Sequence, residues 1–378
     1  MEKVLNMKFW SWSLLLGLLL TGSTTFVSCS GEDEKRELSE WELVLKAYIN
    51  EADERVNVSD EERAKTYAPF EEWRADNPDS DEPLFNLRFT TNAFDHQSEN
   101  ALELPDPNYE PSRDGLDNLK LSGSARPNKK QLTALAATLK EKAGSLPVYI
   151  VDLRAEMHAL INGHHLSRYG FQNWATIGMS RDRIIKEEKD LVASLKGQKF
   201  VYAKIGSSTH YEPANPKEEV ATEAMTEEEA VKALGLNYYR LTALDHVFQD
   251  DATLDSFFEF YKSLPASGAW LHFHCQAGRG RTTFFMCLVD MLMNPQVSLK
   301  DILYRQALIG GTSMFNDGSN QTGDQAWRQS LFKEISVMVP IVYEYVQENK
   351  DNGYSVTWSQ WENQKYGYLI NWEERLFD

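Results

Sequence analysis

The chain has very little cysteine. Only three of its 378 residues are cysteines, at positions 29, 275 and 287. Cys287 falls in an apolar helical pattern twelve residues after Cys275, so we expect no structural disulfide between them, and the fold must depend on its apolar core. Cys275 is flanked by polar residues, and a lone cysteine in such surroundings calls for a chemical explanation.

The sequence also lacks positive charge. Asp and Glu number 57 against 39 Lys and Arg, which gives a formal net charge of −18. Binding to a nucleic acid backbone needs a basic surface, so we expect no nucleic acid partner. A small anionic substrate is compatible with this charge, because a pocket can be locally positive on an acidic protein.

Long apolar runs are missing from the beginning of the chain. The run Leu14–Leu20 is too short to predict a membrane span. Two lysines precede it and small residues follow it, which is the pattern of a secretory signal. The pattern resembles a bacterial lipoprotein signal over residues 1–28, with Cys29 lipidated, although Phe26 stands where Leu is preferred. We expect an exported lipoprotein, either periplasmic or on the outer membrane or cell surface; an ordinary cleaved signal is the alternative.

Two regions follow the signal. Residues 29–80 are polar and acidic, and are predicted to form a tether with one peripheral helix. Residues 81–378 are predicted to form the catalytic domain, in which strands alternate with helices around a central sheet. Helices are predicted at 129–146, 181–195, 254–264, 281–293 and 331–347, and strands at 148–153, 199–205, 238–241 and 270–274.

The most informative segment is HCQAGRGRT at residues 274–282. It connects a predicted strand to a predicted apolar helix. Five residues separate Cys275 from Arg281, and a loop of this length can wrap a tetrahedral anion with its backbone N–H groups pointing inward. Gly278 and Gly280 permit close backbone approach, and the following helix directs its positive end at the same point.

Each residue type in this loop suits phosphate chemistry. We expect Cys275 to be a thiolate nucleophile and Arg281 to hold two phosphoryl oxygens. Thr282 would donate a hydrogen bond to the sulfur, and His274 would tune the thiolate from behind. The other loop residues expected to bind the phosphate are Gln276, Ala277, Gly278, Arg279 and Gly280. A nucleotide-binding loop fits less well, because a Gly-Lys-Ser/Thr ending is absent from this motif.

A phosphate ester leaves well only if its oxygen is protonated as the bond breaks. Asp245 follows the strand predicted at 238–241, where a loop emerges at the carboxyl end of the sheet. We therefore expect Asp245 to be the general acid, and His246 to contact the substrate or steer this loop. The alternative is that Asp245 only forms a turn or a cap.

The C-x5-R motif is the signature of the protein tyrosine phosphatase superfamily, and other segments narrow the resemblance. Similarity to the bacterial cysteine phytases, which are tyrosine-phosphatase-like inositol polyphosphatases, extends from about residue 84 to 362. The segments that carry it include 121–124, 151–154, 173–175, 303–306 and 345–349. The resemblance implies an α/β tyrosine phosphatase fold, with a central mixed sheet flanked by helices and a small partly β region.

The same resemblance implies a function. The chain would remove phosphates from myo-inositol hexakisphosphate and lower inositol polyphosphates through a cysteinyl-phosphate intermediate on Cys275, with no metal or organic cofactor. Arg279 departs from the family, which usually has an apolar residue there. Phosphoinositide phosphatases place a basic residue at this point, and it would suit a ligand with several phosphates. Alternatively, Arg279 points away from the anion.

The remaining candidates are less central. Arg88 matches an arginine-bearing segment that faces the pocket in the family, and Asp152 ends a strand near the active edge, although Asp-x-Arg pairs are often structural. Lys204 and Arg305 are further basic candidates for peripheral phosphates. The pair His164–His165 is not expected to bind a metal, because no Cys or carboxylate cluster accompanies it at ligand spacing.

Two other functions stay open from the sequence. One is a protein tyrosine or phosphoinositide phosphatase, although a clear tyrosine-recognition motif is not seen. The other is a phosphate-binding pseudoenzyme, which would have to lack the Cys, the Arg or the acid. All three residue types are present in this sequence.

Overall fold

A computed structural model describes residues 37–75, 81–205 and 212–370. The predicted lipoprotein signal and Cys29 lie outside the described residues. Within the described part of the chain, every helix is too short or too polar to cross a bilayer.

The strands form two sheets. They are β1 (Trp73–Arg74), β2 (Arg88–Phe89), β3 (Leu121–Ala125), β4 (Val148–Arg154), β5 (His158–Ile161), β6 (His164–Ser167), β7 (Lys199–Ile205), β8 (Pro213–Val220), β9 (Ala224–Met225), β10 (Asn237–Ala243) and β11 (Trp270–Cys275). The central sheet has the order β10-β4-β11-β3-β2 and is parallel except for β2. The accessory sheet has the order β8-β7-β1-β6-β5-β9. The prediction of an α/β fold with a central mixed sheet is confirmed.

Helices cover both faces of the central sheet. They are α1 (Glu40–Lys46), α2 (Glu51–Val56), α3 (Asp60–Thr66), α4 (Glu99–Leu102), α5 (Lys129–Ala143), α6 (Arg181–Leu195), α7 (Glu227–Ala233), α8 (Asp251–Lys262), α9 (Gly280–Met293), α10 (Leu299–Leu308), α11 (Gln329–Asn349) and α12 (Trp358–Ile370). One face packs against α5, and the opposite face packs against α8, α9 and α11. The five helices predicted from the sequence are all present, with ends that differ by a few residues.

Strand β11 places the cysteine and its neighbouring histidine on opposite faces of the sheet. Its side chains are buried on both faces, as expected for a parallel strand between two helical layers. Leu271, Phe273 and Cys275 belong to the large core that includes α9, whereas Trp270 packs with α5. Because side chains alternate along a strand, His274 lies on the face away from Cys275.

The segment before the catalytic domain is part of the fold, and residues 37–75 are not the tether that was predicted over 29–80. Helix α1 starts with a capping box between Ser39 and Glu42, and the side chain of Leu45 is fully buried in the large core. Trp73 in β1 joins the core of the accessory sheet. The acidic composition obscured an apolar stripe at helical spacing, which this segment buries against the rest of the chain.

We expect Leu45→Ala to lower the free energy of unfolding by about 2–5 kcal/mol, because it leaves a cavity in the core. Leu43 lies on the same helix with 57% of its surface exposed, so Leu43→Ala is the matched control and should change it by less than about 0.5 kcal/mol. Urea denaturation of both variants measures this. An equally small change in the free energy of unfolding for both variants would support the original prediction of a tether.

Candidate active site

The loop from Cys275 to Gly280 connects β11 to α9. Cys275 ends the strand and is 3% exposed, and α9 begins five residues later at Gly280. The Thr282 hydroxyl oxygen lies 3.2 Å from the Cys275 sulfur and donates to it. Gly278 has a φ of +69°, and a Cβ there would lie 2.4 Å from the Ala125 nitrogen, so this position requires glycine.

Arg88 was predicted to face the pocket. Instead, it lies behind the loop and supports its backbone. Its guanidinium donates to the Gly278 carbonyl at 2.7 Å and to the Thr283 hydroxyl at 3.1 Å. The side-chain amide of Asn86 donates to the Ala277 carbonyl at 2.8 Å. Burial lowers the pKa of Arg88 to about 10, so it stays charged at neutral pH and positions the loop through its backbone.

Arg281 is oriented by a carboxylate that the sequence analysis did not identify as a site residue. The two guanidinium nitrogens of Arg281 donate to the two Glu156 carboxylate oxygens at 2.8 and 3.1 Å, and one also donates to the Ala243 carbonyl at 3.0 Å. Burial by itself would raise the pKa of Glu156, but the charge of Arg281 outweighs this and lowers it. The position of Glu156, two residues past the carboxyl end of β4, was the available signal.

Asp245 lies beside Arg281, as the proposed acid requires. Its carboxylate is 3.2 Å from the guanidinium and accepts a hydrogen bond from the Asn173 amide at 2.9 Å. The Trp174 indole donates to the Asp245 backbone carbonyl at 2.9 Å and holds the loop. Burial would raise the pKa of Asp245, but the charge of Arg281 and the bond from Asn173 keep it below its ordinary value. Asp245 is therefore ionised before a substrate binds.

His246 also reaches the pocket, in a left-handed backbone conformation with a φ of +72°. Its ring packs edge-on against Trp327, with the ring centroids 5.3 Å apart. Burial lowers the pKa of His246 to about 4, so the imidazole is neutral at pH 7. It can therefore contact a substrate without adding charge to the site.

These groups open into one cavity of about 550 Å³. The predicted residues that line it are Cys275, Gln276, Ala277, Arg279, Gly280, Arg281, Asp245 and His246. Arg279 is exposed at the opening, and Arg74 and Arg328 add two further cations to the lining. The wall is thus locally basic on an acidic protein.

Asp152 is a structural residue, contrary to the substrate-binding role predicted for it. It is fully buried, pairs with Arg154 at 2.8 Å and with His158 at 2.9 Å, and accepts from the Tyr238 hydroxyl at 2.9 Å. Burial would raise the pKa of Asp152, but the charge of Arg154 and the contact with His158 hold it well below its ordinary range. His274 is also fully buried, on the side of the sheet away from the cavity.

The two peripheral cation candidates lie elsewhere. Arg305 is fully buried and paired with Asp290, and it also donates to the carbonyls of Ser112 and Asp114 at 3.0 Å. Lys204 is exposed on β7 and is absent from the cavity lining. Neither is placed to bind a substrate phosphate.

Tertiary structure brings together histidines and carboxylates that the sequence keeps apart. His158, His165 and Glu227 have ligand atoms within 4.8 Å of one another. However, Arg154 donates to His165 at 2.9 Å and to Glu227 at 2.5 Å, so a guanidinium already uses these atoms. The cluster therefore fits a metal ion poorly.

A second carboxylate cluster, formed by Asp53, Asp251 and Glu362, lies outside the cavity lining. Burial and mutual repulsion raise the pKa of Asp251 to about 7 and that of Glu362 to about 9. These carboxyls therefore hold protons near neutral pH, which limits the mutual repulsion in the cluster.

Comparison with known proteins agrees with this geometry. The family model for PTP-like phytases, described as "Inositol hexakisphosphate", matches residues 151–293. That range contains Glu156, Asp245 and the whole loop from Cys275 to Arg281. Over this range the chain is similar to the protein-tyrosine-phosphatase-like phytases.

Solved structures of this family resemble the chain closely. The PTP-like myo-inositol phosphatase of Mitsuokella multacida, in complex with myo-inositol-(1,3,4,5)-tetrakisphosphate, is 36% identical with a TM-score of 0.72, over 78% of this chain and 49% of that one. A PTP-like phytase from Bdellovibrio bacteriovorus is 27% identical with a TM-score of 0.57, over 78% of this chain and 96% of that one.

Among curated proteins, the effector protein hopD2 of Pseudomonas syringae pv. tomato is 27% identical over 251 residues, which is 65% of this chain and 52% of that protein. This chain therefore spans about half the length of hopD2 and of the Mitsuokella multacida phosphatase.

We expect Glu156→Gln to lower kcat/KM for an aryl phosphate roughly 10- to 100-fold, because Arg281 loses the partner that orients it. Glu334 is the matched control, since it is also a buried carboxylate paired with an arginine, Arg55 at 2.7 Å. Glu334→Gln should keep kcat/KM within about twofold. Similar losses in both variants, at equal folded fractions by circular dichroism, would contradict the role of Glu156.

Proposed function

We propose that the protein hydrolyses phosphate monoesters of myo-inositol hexakisphosphate and lower inositol polyphosphates through a cysteinyl-phosphate intermediate. The observation that carries the proposal is the meeting of Cys275, Arg281 and Asp245 in one locally basic cavity. The match of residues 151–293 to the phytase family model supports the substrate class. The neighbour from Mitsuokella multacida binds an inositol tetrakisphosphate, which is a ligand of the same chemistry.

Binding would place one phosphate in the loop. Backbone N–H groups and the start of α9 would surround its oxygens, and Arg281 would bind two of them. Glu156 holds the Arg281 guanidinium before the substrate arrives, so little rearrangement is needed. The cavity of about 550 Å³ is ordinary for a small-molecule site.

In the first chemical step, the Cys275 sulfur attacks phosphorus and the bond from phosphorus to the ester oxygen breaks. Asp245 gives its proton to the leaving oxygen. In the second step, Asp245 takes a proton from water, the resulting hydroxide attacks phosphorus, and the sulfur–phosphorus bond breaks. The Thr282 hydroxyl, which donates to the sulfur at 3.2 Å, stabilises the thiolate as it leaves.

The charge on Asp245 must change on binding, because a general acid needs a proton. In the empty site, the charge of Arg281 helps keep Asp245 ionised. A bound phosphate would take up the donors of Arg281 and add negative charge beside the carboxylate. Both effects raise the pKa of Asp245. Substrate binding would therefore favour the protonated form of Asp245, which is the form that acts as the general acid.

Peripheral phosphates would meet the three other arginines of the cavity. Arg279 stands at the exposed opening, and Arg74 and Arg328 belong to the wall. A ring that carries several phosphates could use these cations together, whereas a simple monoester would need only the loop. This difference favours an inositol polyphosphate over a tyrosine phosphate, which remains the second enzymatic candidate.

Phosphate release from hexakisphosphate, a phosphotyrosine peptide and a phosphoinositide, with EDTA present, tests the function. We expect the fastest release from hexakisphosphate and none from Cys275→Ser. Asp245→Asn should lose roughly 10²-fold on hexakisphosphate and much less on p-nitrophenyl phosphate, whose leaving group needs no proton. If hexakisphosphate releases no phosphate, the proposed substrate is wrong. If none of the three substrates does, a pseudoenzyme is favoured. If Cys275→Ser is active, the proposed mechanism is wrong.

Arg279→Leu tests the peripheral contact separately. We expect KM for hexakisphosphate to rise roughly 5- to 10-fold, because a charge-assisted contact is worth about 1–1.5 kcal/mol in a partly exposed site. KM for p-nitrophenyl phosphate should stay within about twofold. Lys204→Leu removes an exposed cation outside the cavity and is the matched control. Equal changes in KM for both substrates would mean that Arg279 does not contact a second phosphate of hexakisphosphate.

We also propose, from the signal pattern alone, that Cys29 carries a lipid and anchors the exported protein to a membrane. Incorporation of labelled fatty acid into the full chain, and its loss in Cys29→Ala, would test the anchor.

A further inference from the structure

His274 and Glu227 form a buried contact on the face of β11 that lies away from the cavity. The His274 Nε2 atom is 2.7 Å from the Glu227 Oε1 atom, with side-chain exposures of 0% and 1%. Neither of these two atoms has a hydrogen-bond partner of good geometry. A buried carboxylate oxygen without a donor is costly, and a positive charge on the facing imidazole offsets that cost.

The surroundings favour this positive charge. Arg154 and Arg240 supply two cations, whereas Asp152, Glu188 and Glu227 supply three anions, all with nearly no exposure. The cluster is therefore short of positive charge, and an imidazolium compensates the difference. The titratable or charged groups that face the cluster from the packed elements are Asp152, Arg154, His158, His165, Glu188, Glu227, Tyr238, Arg240, His272 and His274.

The other histidines compensate less for Glu227. His165 accepts from Arg154 at 2.9 Å, and burial, then Arg154, hold its pKa well below the ordinary value. His272 is hydrogen-bonded to the hydroxyls of Ser122 and Ser124 at 2.9 and 3.0 Å, which a neutral imidazole satisfies. His158 faces Asp152 at 2.9 Å. His274 is the group that faces Glu227 Oε1.

The His274–Glu227 pair is connected to Cys275 by the backbone of β11. His274 precedes Cys275 in β11, on the opposite face of the sheet. A cation on the residue next to a cysteine favours the thiolate over the thiol. Glu227 is the first residue of α7, in the connection from β9 of the accessory sheet to β10, which leads to Asp245. The accessory region thus supplies a charge directly under the catalytic loop.

We propose that Glu227 is a positioning residue for the nucleophile: it holds His274 as the imidazolium and thereby favours the thiolate form of Cys275. The inference rests on the proposed cysteine chemistry. Thiolate reactivity can be measured without turnover, however, so the two proposals fail separately.

The test is the rate at which iodoacetamide alkylates Cys275 in the full chain between pH 4 and 9, followed by peptide mass spectrometry to separate it from the other two cysteines. In Glu227→Gln, His274 loses its counter-charge and becomes neutral, so the pH of half-maximal alkylation should rise. At the wild-type midpoint, alkylation should slow roughly 5- to 10-fold. An unchanged or lower midpoint overturns the proposal.

Glu188→Gln is the matched control. Glu188 is a buried carboxylate of the same cluster, 2.5 Å from Arg240, but it does not contact His274. Its loss should reduce stability and leave the alkylation midpoint within about 0.3 pH units. If the alkylation midpoint shifts as much in this variant as in Glu227→Gln, the overall charge of the cluster, and not the contact with His274, controls thiolate formation at Cys275.

A second measurement uses the wild-type protein, so it remains informative even if the Glu227→Gln variant does not fold. Ring ¹⁵N chemical shifts of the wild-type histidines report their protonation, and His274→Gln assigns the signal. We expect His274 to carry both ring protons at pH 7, and a neutral ring would overturn the proposal. A protein that shows both results yet releases no phosphate would refute the proposed function and leave the role of Glu227 standing.

Discussion

The buried guanidinium of Arg281 is the charge around which the site is organised. Its bidentate pairing with Glu156 sets its orientation, and its contact with the Ala243 carbonyl ties it to the end of β10. A fixed cation at the mouth of the loop is useful only if it is held before the substrate arrives, because ordering it later would cost entropy. The charge of the same guanidinium holds the pKa of Asp245 below its ordinary value.

The loop itself is held from two sides. Arg88 and Asn86 donate to the carbonyls of Gly278 and Ala277, which fixes the backbone of the loop. On the other side, the buried cluster of Glu227, Arg154 and His274 lies between the two sheets. A buried ion network adds little net stability, but it can define one arrangement of the backbone beside the nucleophile.

Residues that act from one continuous segment were predictable. The spacing of Cys275 and Arg281 is itself the geometry of the loop, since five intervening residues are what an anion cradle needs. Asp245 was also predictable, because loops after parallel strands emerge at one edge of the sheet. Arg88, Asp152 and Arg305 were misread, because their type and position indicate a charge but not which face of the sheet or helix it lies on.

The sequence by itself determined the α/β class and the place of the Cys275–Arg281 loop between a strand and a helix, because these follow from local spacing and from the periods of strands and helices. Only the tertiary structure decided which distant charges meet: Glu156 with Arg281, Glu227 with His274, and residues 37–75 with the core. Such partners are separated by tens to hundreds of positions along the chain. Burial then makes the pairing obligatory, since an unpaired charge away from water costs several kcal/mol or more.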